Sequence, residues 1–353
     1  MPGLLSYKKR QIAAQLQLLA ASEYFTTAAR QGNGEYRKKT YPFVLPREFR
    51  SENLLSSIRQ ETETYFEDNK IAWHDARAHL LSSQIFCINF LGPFAQHPNA
   101  LKELFEPLVG PIATMLEPEP KEVGRFVAFE FIGDPDVDYL NESSGRKRTR
   151  GANCTSADAA IRFQRPDGTT EFALIEWKYT ESYRSSPSPQ ESEEQFNKRI
   201  EREHRYSNIA FAPNGPLRKD LSLKLADLFV DPIYQMLRQQ MLAYRMEQAH
   251  ELGAMRVTCI SVFPVGNLIL KRVNVPALRR LGDDIADVWR NLLEKPDRFL
   301  SVSSEQLFQS FAKVLYNHPD LKLWHSYVGT RYGLNASDSA VPSQAKPSNR
   351  AAG

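Results

Sequence analysis

Hydrophobic and polar positions divide the chain into a helical opening, a strand-rich centre and a helical close. Leu5, Ile12, Leu16 and Leu19 recur near helical spacing and predict a helix over residues 4–30. Gly32 to Arg47 is turn-rich. Leu54, Leu55, Ile58 and Tyr65, followed by the stretch from His79 to Phe90, predict helix again over 51–90. Another helix is expected from Asn99, a candidate N-cap, to Leu116, broken by Pro107 and Pro111. The texture changes after Pro120. Arg125 to Ile132 (RFVAFEFI), Ser156 to Phe163 (SADAAIRF) and Glu171 to Tyr179 (EFALIEWKY) read as strands, and the turn Arg165-Pro-Asp-Gly168 joins the last two into a hairpin. Residues 182–205 are Pro/Ser-rich, then charged, and read as a mobile loop leading into a short helix. Leu221 to Leu252 predicts a long helical stretch around Asp231-Pro232, where proline suits a first turn. Arg256 to Phe263 (RVTCISVF) reads as a buried strand, Leu268 to Lys271 as a further one, and 277–295 and 304–316 as helices. The Ser/Ala/Pro-rich tail from Ala336 predicts disorder.

Composition narrows the class. The chain has 353 residues, 42% of them hydrophobic and 25% charged, which suits a protein with a sizeable core. A formal charge of +3 says little about partners, so local clusters must carry that question. The cysteines Cys87, Cys154 and Cys259 are far apart and odd in number, which argues against a disulfide framework or a zinc ribbon and for a reducing, cytoplasmic setting. No apolar run reaches the roughly 18 residues that span a bilayer. The N-terminus lacks a continuous apolar stretch and reads as a basic first helix rather than a signal peptide. The seven histidines form no metal spacing, with His74 and His79 five apart, and no G-x-S-x-G, Walker A or dinucleotide fingerprint occurs.

The chemistry gathers on the third strand. Strand alternation puts Phe172, Leu174, Glu176 and Lys178 on one face and Ala173, Ile175, Trp177 and Tyr179 on the other. An acid and a lysine two apart, ending an apolar strand, need a reason to be there. Asp158 lies on the preceding strand, where hairpin pairing can bring it beside Glu176. Two close carboxylates repel unless a cation joins them, and hard oxygen ligands select Mg²⁺ or Mn²⁺. The plain alternative is a cross-strand ion pair on a solvated face; the apolar residues before Glu176 disfavour solvent there. Four cations, Arg146, Lys147, Arg148 and Arg150, stand between Gly145 and Gly151 just upstream. They read as phosphate contacts or as a solvated loop.

Asp158, then seventeen residues, then Glu176-Trp-Lys178, resembles the D-x(n)-E-x-K signature of the PD-(D/E)XK, or restriction-endonuclease-like, superfamily. Thr155-Ser-Ala-Asp158 followed by Ile175-Glu-Trp-Lys-Tyr-Thr-Glu181 is similar to a group of bacterial restriction endonucleases. Ala157 stands where the superfamily's name has proline. The resemblance runs over Arg125 to Tyr244. It implies an α/β fold, a mixed central sheet flanked by helices, carrying helical N- and C-terminal extensions. The expected organisation is a helical region over 1–120, a nuclease core over 121–275, a helical extension over 276–335 and a disordered tail over 336–353. Asp158, Glu176 and Lys178 would be catalytic, with Asp158, Glu176 and the Trp177 carbonyl on the metal. Gln240-Met-Leu-Ala-Tyr244 matches the superfamily's Q-x-x-x-Y and would let Gln240 support the site; Gln235 and Gln239 compete for that role on the same helix. Glu130 is the candidate for the superfamily's further glutamate, though it falls on a strand. The implied activity is Mg²⁺-dependent endonucleolytic hydrolysis, with DNA as partner, in a restriction or defence context. A homodimer is left open. The alternatives are a nucleic-acid-binding module without catalysis and a partner-binding scaffold.

Overall fold

In the computed structural model, residues 6–143, 147–183 and 192–335 are described. The opening helix is split in two. α1 (Tyr7–Ala21) ends at Ser22, and α2 (Thr27–Gln31) begins on a Thr26 side-chain cap. Thr26 is tied in turn to Glu52 by its amide and hydroxyl (2.7 and 2.9 Å), so the break is anchored to the next segment. A small hairpin, β1 (Gly34–Tyr36) and β2 (Lys39–Tyr41), occupies the turn-rich stretch. The helical region over 51–90 is likewise two helices, α3 (Arg59–Asp68) and α4 (Ser83–Leu91), separated by a loop. α4 is buried on every side from Gln84 to Leu91, as an all-round apolar helix must be. α5 (Pro98–Val109) stops at Gly110, whose φ of 88° no helix accommodates, and Thr114–Leu116 is strand β3 rather than helix.

β4 (Ala128–Phe131), β5 (Ala157–Gln164) and β6 (Thr170–Trp177) follow, then α6 (Glu193–Ala210), α7 (Ile233–Gln248) and β7 (Ala254–Phe263). α8 (Ile285–Leu292), β8 (Phe299–Ser303), α9 (Ser304–Ala312) and α10 (Lys322–Tyr332) close the chain. α6 runs 18 residues from a Ser192–Gln195 capping box, longer than its sequence suggested. Leu268–Lys271 is a 3-10 turn, not a strand, with Leu268 63% exposed and only Leu270 buried. The tail from residue 336 and the loop over 184–191 lie outside the described residues.

The sheet is mixed. β3 and β4 lie end to end along β5, both antiparallel to it; β5 and β6 are antiparallel; β6–β7 and β7–β8 are parallel. It thus takes Thr114–Leu116 and Phe299–Ser303 from outside the 121–275 limits drawn on the sequence. Ala159, Ile161, Ala173, Ile175 and Trp177 face a core built with α4, α5, α9 and α10. Ala160, Phe172, Leu174 and Cys259 face a second core built with α6, α7 and α8. This is a restriction-endonuclease-like α/β core: a central mixed sheet flanked by helices on both faces. The first and last helices meet at the close of β6. Gln15 of α1 donates to the Arg331 carbonyl of α10 (2.7 Å) and to the Tyr179 hydroxyl (3.3 Å). No helix among the described residues is long and apolar enough to cross a membrane.

Candidate active site

Sheet register assembles a row of acids across three strands. The β5–β6 ladder pairs Ala159 with Ile175, so the next position sets Asp158 opposite Glu176. The β4–β5 ladder pairs Phe129 with Ala159 and Phe131 with Ala157, which sets Glu130 opposite Asp158. The Trp177 amide donates to Asp158 Oδ2 (2.6 Å) and orients that carboxylate. Trp177 itself is sunk in the core against Phe86 and Phe90, with ring centroids 5.3 and 4.8 Å away, so the strand end that carries the acids is rigid.

Lys178 pairs with Glu176 Oε1, and the Gln239 amide of α7 donates to Glu176 Oε2. Both carboxylate oxygens of Glu176 are thereby engaged. Burial, then the Glu176 carboxylate, pushes Asp158 well above the usual carboxylate range; Lys178 and the Trp177 N–H offset this only in part. Burial opposes charge on Lys178, but Glu176, Tyr183 and Asp158 outweigh it and hold the ammonium well above the ordinary lysine range. Two acids and a base sharing one enclosed corner is the pattern that tunes groups for proton transfer.

Glu130 is buried and has a φ of 48°, in the left-handed region. Such a backbone costs of order 1–3 kcal/mol in a residue with a Cβ and persists only where its surroundings hold it. Here Gln84 Nε2 donates to Glu130 Oε1 (2.5 Å), and His74 Nε2 lies 3.3 Å from the same oxygen. Burial first, then Glu176, raises its carboxyl to about 7. Burial lowers His74 from the usual histidine range. Glu130 thus stands among the acids as an enclosed member of the row. In the sequence, Ser82-Ser83-Gln84 at the edge of an apolar helix read first as a cap or core hydrogen bond and second as a reach toward the site, and Gln84 makes that reach; His74 carried no such signal.

Other expected residues fall elsewhere. Gln240 is turned away from the acids into a small cavity with Tyr244, Glu247 and Arg298, and its Oε1 has no partner among the described residues. Adjacent helix positions differ by about 100° around the axis, so Gln239 and Gln240 point to different places; Gln239 is the one that reaches Glu176. Tyr244 packs at the margin of the α7 core. The basic run divides. Arg150 points inward, donating to Glu119, to the Tyr65 hydroxyl and to the carbonyls of Phe129 and Glu130. It braces β4 rather than facing phosphate; a guanidinium beside a buried acid and an open strand end finds more partners inside than in solvent. Arg148 is half-buried and donates to the Asp134 and Pro135 carbonyls, Lys147 is exposed, and Arg146 lies outside the described residues.

Fold and site together define a protein of the restriction-endonuclease class. The chain belongs to the family described as Restriction Endonuclease associating with ARP, whose model matches residues 17–333 and so runs from the end of α1 through α10. Restriction endonucleases are hydrolytic nucleases, and the family sets this chain among them. Comparisons with curated proteins and with solved structures gave no match.

Proposed function

We propose that the protein is a Mg²⁺- or Mn²⁺-dependent endonuclease of the PD-(D/E)XK type that hydrolyses phosphodiester bonds of DNA in a restriction or defence context. The observation that carries the reading is the meeting of Asp158, Glu176 and Lys178 at one end of paired strands, with the two acids opposite each other in register.

The donor set fits a hard cation. Among the described residues no group of three or more His, Cys, Asp or Glu side chains is arranged to hold a metal, which disfavours a zinc-like site. Two carboxylates with a main-chain carbonyl do suit Mg²⁺, which typically takes one or two carboxylates and leaves the rest to water and phosphate oxygens. Asp158, Glu176 and the Trp177 carbonyl would hold it. Bound there, the ion supplies Lewis acidity toward water and positive charge against the phosphate. The Trp177 N–H and the Gln239 amide keep Asp158 and Glu176 in place. Lys178 sits where it can orient the attacking water, move its proton and offset charge growing on the phosphorus. Lys147 and Arg148 remain as phosphate contacts at the rim. We extend to this chain the association with ARP named in the family's description.

The test is nicking of supercoiled plasmid with Mg²⁺ or Mn²⁺ and with chelator, beside Mn²⁺ calorimetry of wild type, Asp158→Ala and Glu176→Ala. Metal-dependent cleavage lost in both variants, together with lost Mn²⁺ binding, is expected. Cleavage indifferent to chelator, or Mn²⁺ binding unchanged in both variants, would remove the proposal.

A further inference from the structure

We infer that the cleft between α6 and α7 is a phosphate-binding subsite, in which Arg202 and Arg238 grip a backbone phosphate of the nucleic-acid strand beside the bond to be cut. The inference rests on the nuclease reading above and adds to it a contact that the sequence had placed on a different segment.

The cleft encloses about 330 Å³, and Lys198, Arg202, Arg205, Tyr206, Tyr234 and Arg238 line it. Its acids are already committed. Glu142 accepts from the Thr155 amide (2.6 Å), the Thr155 hydroxyl (2.7 Å) and the Tyr206 hydroxyl (2.8 Å). Glu201 pairs with Arg205, and Lys198 with Glu194. Arg202 and Arg238 differ: among the described residues no carboxylate pairs with either. Both rest instead on one ring, their guanidinium carbons 4.5 and 5.0 Å from the Tyr234 centroid. Arg238 Nε is buried and has no hydrogen-bond partner among the described residues.

Two arginines held on one aromatic ring, one with an unmet buried donor, form a pre-organised oxyanion clamp. A guanidinium meets phosphate oxygens through paired N–H donors, and stacking reduces the side-chain freedom lost on binding. A nucleic-acid strand brings its phosphates in series and can reach this cleft and the acid row together.

The place of the cleft supports that continuity. α7 contributes Gln239 to the Glu176 carboxylate and its neighbour Arg238 to the cleft. Asp231, just before α7, lies within electrostatic reach of Arg238, Lys178, Arg202 and Glu176 together. A strand whose scissile phosphate sits at Lys178 can therefore run on toward Arg202 and Arg238.

The experiment is fluorescence anisotropy of a labelled DNA duplex, in metal-free buffer over a salt series, with wild type, R202Q, R238Q, R202Q/R238Q and R202K/R238K. Loss of one phosphate contact lowers the slope of log affinity against log salt by roughly 0.9, so the double Gln variant should lose about 0.9 and each single a part of that. The Lys pair should keep most of the slope. Circular dichroism and thermal melting show which variants are folded; the singles and the Lys pair decide the matter if the double Gln variant does not fold. Wild-type slopes in folded R202Q and R238Q overturn the inference, and if wild type still nicks plasmid with metal the nuclease reading stands without it. Saturable binding of inorganic phosphate that R202Q/R238Q abolishes, with no change in the DNA slope, assigns the cleft to a free anion and also overturns it. A wild type that neither binds DNA nor nicks it removes both.

Discussion

Lys178→Met separates chemistry from folding more cleanly than any other single change in the site. Methionine keeps an unbranched apolar stem and removes the ammonium. In the wild type that ammonium pairs with Glu176, the two side chains being 13% and 15% exposed, and it is held charged by Glu176, Tyr183 and Asp158 against the cost of burial. Removing one partner of an enclosed pair costs of order 3–5 kcal/mol when the remaining charge has no relief. Here relief exists, because Asp158 already sits well above the usual carboxylate range and can keep a proton. The expected loss of stability in metal-free buffer near neutral pH is therefore smaller, about 2 kcal/mol. The sign against pH follows from the raised folded-state value of the lysine. The pair's contribution is fully present below the unfolded lysine's pKa, about 10.4, and is lost as pH rises through the folded value; the variant should lack this alkaline loss. Catalysis should suffer far more. A positioned proton-transfer group contributes about 10²–10⁴ in rate, so single-turnover cleavage with Mg²⁺ should fall at least ~100-fold, equivalent to ~2.7 kcal/mol of barrier. Mn²⁺ binding and most DNA affinity should survive. Circular dichroism establishes folding, and single-turnover rates of the two proteins decide. Equal rates in two folded proteins would refute the reasoning and reduce Glu176–Lys178 to an ion pair.

Further outcomes are expected. Gln239→Ala frees one oxygen of Glu176 and should lower the cleavage rate about 10-fold or more, as loss of a side chain supporting a ligand typically does; Gln240→Ala should leave the rate alone, and the reverse result would place the wrong glutamine at the site. Glu130, with its carboxyl raised to about 7, holds a proton in the folded state that the unfolded chain, with a pKa near 4.3, has already released. Stability should therefore fall as pH rises from about 4.3 toward about 7. Glu130→Gln should flatten that decline in metal-free thermal melts, and an unchanged profile would show that another group carries it. Arg150→Ser should cost about 3 kcal/mol in urea titration because it leaves Glu119 and two carbonyls without their buried cation. Lys147→Ser with Arg148→Ser should spare stability and reduce the DNA salt slope by up to roughly 1.8; a stability-neutral Arg150→Ser would contradict the brace assigned to it.

What the sequence determined by itself is what is local. Alternation along Glu171–Tyr179 placed Glu176 and Lys178 on one face and Trp177 on the other, because side chains on a strand alternate whatever the strand pairs with. The two cores bear this out, with Phe172 and Leu174 on one side of the sheet and Ala173, Ile175 and Trp177 on the other. The turn at Arg165–Gly168 made the β5–β6 hairpin legible, and the hairpin carried Asp158 to Glu176. Tertiary structure decided whatever depended on partners distant in the chain. β8 has five residues, and it is a strand because β7 lies parallel beside it. Which glutamine of α7 meets Glu176 depends on how that helix is rolled on the sheet, and roll is set by packing against α6 and α8 rather than by spacing. Arg150 looked like one of four equivalent cations; only the approach of Tyr65, Glu119 and the β4 carbonyls turned it inward. Glu130 entered the acid row through β4–β5 register and a left-handed backbone. Neither is written in its neighbours, because a strained φ is held by contacts such as Gln84 and His74, which the chain supplies from nearly fifty residues or more away.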